Sequence, residues 1–83
     1  MAVLVIRHLP PDTHPDAVVD LLRELGYSEP VGKVTLCDGS GQPWAVITLP
    51  ISRVACVAVA GMLNGRFWNG QVLEAEQTHV WRE

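Results

Sequence analysis

The chain has 83 residues, 48% of them hydrophobic and 18% charged, with nine acidic against six basic side chains and a formal net charge of −3. That length supports one hydrophobic core and not two, and the composition is that of a folded globule rather than a disordered tail. The acid excess argues against a broad phosphate-binding surface, because non-specific affinity for nucleic acid comes from Lys and Arg neutralising phosphates.

The opening strand is expected over Ala2 to Leu9, halted by Pro10-Pro11, which cannot continue a ladder. Thr13 is the predicted cap of a first helix, with Pro15 in its first turn and Asp16 three residues on, a variant of the capping box. Within DAVVDLLREL the apolar Val18, Leu21, Leu22 and Leu25 recur at helical spacing, and Gly26 is the expected left-handed residue after the end. VGKVTLC reads as a second strand, DGSGQP as a loop and WAVITL as a third strand, so strands two and three form a hairpin.

A second helix is predicted over SRVACVAVAGML, capped by Ser52. It carries no charge between Arg53 and Arg66, so no solvent face can be drawn on it. That leaves either a small-residue helix coated with alanine or a helix partly covered by something else. Asn64-Gly65 ends it. Asn69-Gly70 is a two-residue hairpin signal joining Arg66–Trp68 to a last strand over Gln71–Thr78.

Residues 1–83 thus form a single domain of α+β class, a ferredoxin-like β-α-β-β-α-β sandwich. Its four-stranded antiparallel sheet has the first and third strands at the centre and two helices on one face. No run approaches the ~20 apolar residues that span a bilayer, and no signal segment opens the chain, which reads as a trimmed domain or a very small protein. Cys37 and Cys56 lack CxxC partners and read as reduced, which fits a nuclear or cytoplasmic location. His8, His14 and His79 have no metal-ligand spacing. The sequence has no glycine-rich phosphate loop, no nucleophile with an evident base and no paired carboxylates, so neither an enzyme nor a cofactor or small-molecule site is expected.

The order of elements, VLVIRHLP, WAVITL and above all Leu63-Asn64-Gly65 followed by Asn69-Gly70 and Leu73 resemble the RNA recognition motif (RRM) over nearly the whole chain. IRHLP and GKVTLCDGSGQPWAVITL are similar to its polypyrimidine-tract-binding protein, heterogeneous ribonucleoprotein L and matrin branch. The resemblance implies that bases of single-stranded RNA lie on the sheet face, which in this family carries aromatic platforms. Here the first-strand platform position is Val5, the third-strand ones are Trp44 and Val46, and the basic position before them is Gln42. Only Trp44 is aromatic. Alternation places Val3, Val5 and Arg7, then Trp44, Val46 and Thr48, with Lys33 and Thr35, on that face, and Glu74 and Glu76 at its margin. His79, Trp81 and Arg82 form a candidate flank for RNA, with Trp81 alternatively folded back to cover Val3 or Val5. The implied partner is single-stranded RNA, held weakly or in context.

A protein partner is the competing expectation. In RRMs that bind tryptophan-containing peptides, an Arg-x-Phe loop follows Leu-Asn-Gly, and acids on the first helix attract a basic ligand. This chain has Arg66-Phe67-Trp68 there, and Asp16, Asp20 and Glu24 on the first helix. An aromatic beside a cation makes a slot for an indole. For Phe67 and Trp68, one ring is expected in the core and the other partly exposed. The apolar sheet face is also a candidate homodimer contact.

Overall fold

The computed structural model describes residues 2–37 and 43–78. Six strands and two helices follow one another as β1 (Ala2–Arg7), α1 (Pro15–Glu24), β2 (Val34–Cys37), β3 (Trp44–Leu49), α2 (Arg53–Leu63), β4 (Phe67–Trp68), β5 (Gln71–Val72) and β6 (Glu74–Thr78). The main sheet has the order β2-β3-β1-β6 and is antiparallel throughout, with β1 and β3 central; β4 and β5 form a separate two-stranded ribbon.

Alternation decides which side of the sheet is dry. Leu4 and Ile6 of β1, Ala45, Ile47 and Leu49 of β3 and Ala75 of β6 all turn to one side. They meet Val18, Leu21 and Leu22 of α1, and Cys56, Val59, Ala60 and Leu63 of α2. Both helices therefore lie on one face, and the other face is left uncovered by helix. No polar or charged side chain is buried among the described residues. Burial pushes the Cys56 thiol up from its ordinary pKa, and its Sγ lies 3.8 Å from the carbonyl of Val3. The thiol is part of the core and not a nucleophile.

Several boundaries differ from the sequence reading. Strand β1 stops at Arg7 because His8 takes a left-handed backbone, φ 66°, which leaves the ladder before the prolines are reached. The cap of α1 is His14 and not Thr13: the imidazole Nδ1 accepts from the Asp16 N–H at 3.4 Å. The Thr13 hydroxyl is used one turn earlier, donating to the Pro10 carbonyl at 2.7 Å. At the other end the expectation for Gly26 holds, at φ 94°. The Gly26 N–H bonds Arg23 and the Tyr27 N–H bonds Leu22, the paired pattern of a Schellman cap.

Strand β2 begins later than expected, at Val34. The Gly32 N–H donates to the Thr48 carbonyl at 2.9 Å while the Thr48 N–H donates to the Lys33 carbonyl at 3.1 Å. Two residues thus oppose one, as in a β-bulge. A Cβ on Gly32 would lie 2.6 Å from the Thr48 backbone oxygen. Gly32→Ala should therefore cost about 1–3 kcal/mol, the usual penalty for forcing atoms into filled space, seen as a lower denaturant midpoint. An unchanged midpoint would show that the bulge yields freely.

The last strand is broken at Leu73. Its N–H and carbonyl bond Arg66 and Gly65 instead of β1, which sinks the Leu73 side chain into the core. The Asn64 Oδ1 accepts the Ala75 N–H at 3.3 Å, so the Leu-Asn-Gly segment ties the end of α2 to the start of β6. Asn69 and Gly70 both have positive φ, 48° and 87°, as the tight turn between β4 and β5 requires.

Candidate nucleic-acid interface

The helix-free face carries Val3, Val5 and Arg7 of β1, Trp44, Val46 and Thr48 of β3, Thr35 and Cys37 of β2, and Glu74 and Glu76 of β6. The register aligns them in rows. Val5 sits between Val46 and Glu76, Thr35 lies across from Val46, and Cys37 from Trp44. Trp44 is half-buried, and its ring is not among the side chains of the core. Lys33 is exposed at the bulge.

The charges on this face fall into two halves, which alternation alone does not reveal. On the β1–β6 side the Arg7 guanidinium pairs with the Glu76 carboxylate at 2.5 Å, and the His8 Nε2 lies 3.3 Å from Glu74. Arg7 faces Glu74 directly in the register but reaches diagonally to Glu76. Each basic group here already has an acid. The β2–β3 side holds Lys33, Thr35, Trp44 and Thr48 with no acidic side chain among its described residues.

Val5 and Val46 stand on the expected face but are nearly closed to solvent, at 1% and 6% exposure. They serve as a floor and not as protruding contacts. His79, Trp81 and Arg82 lie outside the described residues, as does the β2–β3 loop over residues 38–42.

On the ribbon, Trp68 packs against the core while Phe67 is 70% exposed, the division expected for these two rings. Val72 faces Phe67 across the ribbon and is exposed too. Asp16, Asp20 and Glu24 are all exposed on α1. A hollow of about 360 Å³ beside the ribbon is bordered by His8, Asn64, Gly65, Val72, Leu73 and Glu74; its acid is Glu74 and not one from α1.

A second hollow, of about 290 Å³, opens between the end of α1 and α2, with Leu25, Tyr27, Ile51 and Met62 among its walls. Tyr27 is held by its own hydroxyl, which donates to the Pro30 carbonyl at 3.0 Å. Burial, and then the nearby Glu29, push its phenol pKa up, with Arg23 acting in the opposite sense. The Arg23 guanidinium clamps the loop by donating to the carbonyls of Tyr27 and Glu29.

A four-stranded antiparallel sheet with two helices on one face and, among the described residues, no helix on the other defines the class, an α+β sandwich built on the split βαβ unit. No protein-family model matches the sequence, and neither does any curated protein. Among solved structures, the third RRM of Pes4 is similar at TM-score 0.77 and 20% identity, covering 100% of this chain and 98% of that one. An Rna15 RRM with bound RNA (GU) gives TM-score 0.68 and 20% identity over 89% of this chain and 79% of that one. The second RRM of yeast poly(U)-binding protein, Pub1, gives 0.73 and 9% over the whole of both chains. The chain has the RRM fold.

Proposed function

We propose that the domain is a non-enzymatic RNA-binding module whose contact is weak and lies on the β2–β3 half of the sheet face. The observation that supports this reading best is the position of Trp44: a half-buried indole on the helix-free side, across from Cys37, in the same half of the sheet as Thr35, Thr48 and the exposed Lys33. Stacking needs one accessible π-face, and the hydroxyls supply hydrogen-bonding groups for base edges. The similar Rna15 RRM was solved with bound RNA, which makes single-stranded RNA the first ligand to try. Weakness follows from the rest of the face, where Val5 and Val46 offer almost no surface and Arg7 is engaged by Glu76.

The test is a titration with pooled single-stranded RNA at low salt, followed by amide and indole resonances. Shifts should cluster on Lys33, Thr35, Trp44 and Thr48 and be smaller along β6. Absence of shifts at millimolar RNA would refute the reading.

A second reading rests on the exposure of Phe67 beside Arg66, which leaves a ring and a cation available to an indole-bearing peptide. A basic peptide containing tryptophan should then perturb Arg66, Phe67 and Val72 and leave Trp44 unmoved; perturbation of neither site excludes this reading.

A further inference from the structure

The dipeptide Asn-Gly occurs twice, as Asn64-Gly65 after α2 and as Asn69-Gly70 between β4 and β5. It is the pair in which a main-chain nitrogen most readily attacks the preceding side chain, because glycine has no Cβ to hinder the approach. All four residues are exposed, so water reaches both sites alike. Their hydrogen bonds differ. The Gly65 N–H donates to the Leu73 carbonyl at 2.8 Å, and the Asn64 Oδ1 accepts the Ala75 N–H at 3.3 Å. The Gly70 N–H and the Asn69 side-chain amide have no hydrogen-bond partner among the described residues.

We propose that Asn69 is a site of spontaneous deamidation in the folded protein, and that the fold protects Asn64 from the same reaction. The Gly70 nitrogen gives up its proton to hydroxide and attacks Asn69 Cγ. A C–N bond forms, the side-chain nitrogen leaves as ammonia, and a cyclic succinimide results. Water then opens the ring. Breaking the bond from the Gly70 nitrogen to Cγ gives aspartate on an unchanged main chain, and breaking its bond to the main-chain carbonyl carbon gives isoaspartate. No oxidant or reductant takes part. At Asn64 the same attack requires the Gly65 nitrogen to leave the Leu73 carbonyl and Oδ1 to leave the Ala75 N–H, two bonds that fix the end of α2.

Isoaspartate carries the main chain through the former side chain and lengthens the turn by a methylene. Asn69 and Gly70 stand at φ 48° and 87°, the left-handed pair that a two-residue turn needs, and a longer link no longer fits it. The ribbon is closed by the pairs Phe67 with Val72 and Trp68 with Gln71, and so short a two-stranded ribbon is marginal in water. The new carboxylate also takes the net charge from −3 to −4. The modification acts on the surface that carries the exposed Phe67 and leaves Trp44, in the other sheet, untouched.

The test is peptide mapping of the full chain after incubation at body temperature and mildly alkaline pH. Conversion at Asn69 should outpace conversion at Asn64 by about tenfold or more, the factor set by opening two hydrogen bonds of ordinary net strength. In denaturing urea the two sites should react at comparable rates, because neither is then held. The modified chain should show amide shifts at Phe67 and Val72, and Asn69→Asp separates the added charge from the added methylene. Asn69→Gly, which keeps the turn, should abolish the fast conversion. Conversion at Asn64 as fast as at Asn69 in the folded chain overturns the proposal, as does an Asn69 that reacts in urea and not when folded. RNA binding is read on Trp44 and this reaction on the ribbon, so either can fail alone.

Discussion

Replacing Trp44 with alanine is expected to weaken single-stranded RNA binding by about 5- to 150-fold, the range set by losing one base stack worth 1–3 kcal/mol. The effect is large because no other described residue on the face carries an aromatic ring. Among the described residues the other aromatics are Tyr27, buried beside α1, and Phe67 and Trp68, on the ribbon. The fold should tolerate the change. Trp44 opens β3 opposite Cys37 and is not among the side chains that pack the core, so the loss is of partly exposed surface and leaves no cavity. Fluorescence anisotropy with a labelled oligonucleotide, set beside a thermal melt, separates the two outcomes. Full affinity in a folded Trp44→Ala protein would remove the sheet face from the reading. Affinity lost instead on Phe67→Ala would move the RNA to the β4–β5 ribbon.

The sequence shows the fold because each local signal points the same way. Apolar, β-branched runs in AVLVIR and WAVITL, helical spacing in Val18, Leu21 and Leu22, and paired Asn-Gly turns agree on one sheet and two helices. It identifies the helix-free face for the same reason, since a period of two assigns every residue of a strand to a side. What it does not show is lateral. Whether Arg7 meets Glu74 or Glu76 depends on the diagonal reach of a long side chain, not on register. The near-complete burial of Val5 is likewise not legible from a period of two, which places it on the face with no helix over it. The cap of α1 was misread for a related reason: Thr13 is the better cap by residue type, but the Pro10 carbonyl competes for its hydroxyl. The bulge at Gly32 had a visible signal in Val-Gly-Lys, a glycine inside a strand pattern, which often marks a close backbone approach.

The neutralised β1–β6 half leads to the second large effect. Glu74→Gln together with Glu76→Gln removes two of nine acids, so the net charge changes from −3 to −1, while side-chain shape is nearly kept. Arg7 loses its carboxylate partner and becomes available to a phosphate. RNA affinity should rise about tenfold at low salt, and the logarithmic salt dependence should steepen by about 0.7 for the one added phosphate contact on a single strand. The gain should fade toward 1 M salt, where screening acts within about 3 Å. Stability should hardly change, because both carboxylates are more than half exposed and exposed ion pairs contribute about 0–1 kcal/mol. A peptide bound at Phe67 would respond differently, since Glu74 borders the hollow beside the ribbon and its loss would weaken a basic ligand. Rising RNA affinity with a steeper salt slope supports the sheet face. An unchanged slope would mean that Arg7 never reaches the phosphates, and the site would then be confined to the strip between Lys33 and Trp44.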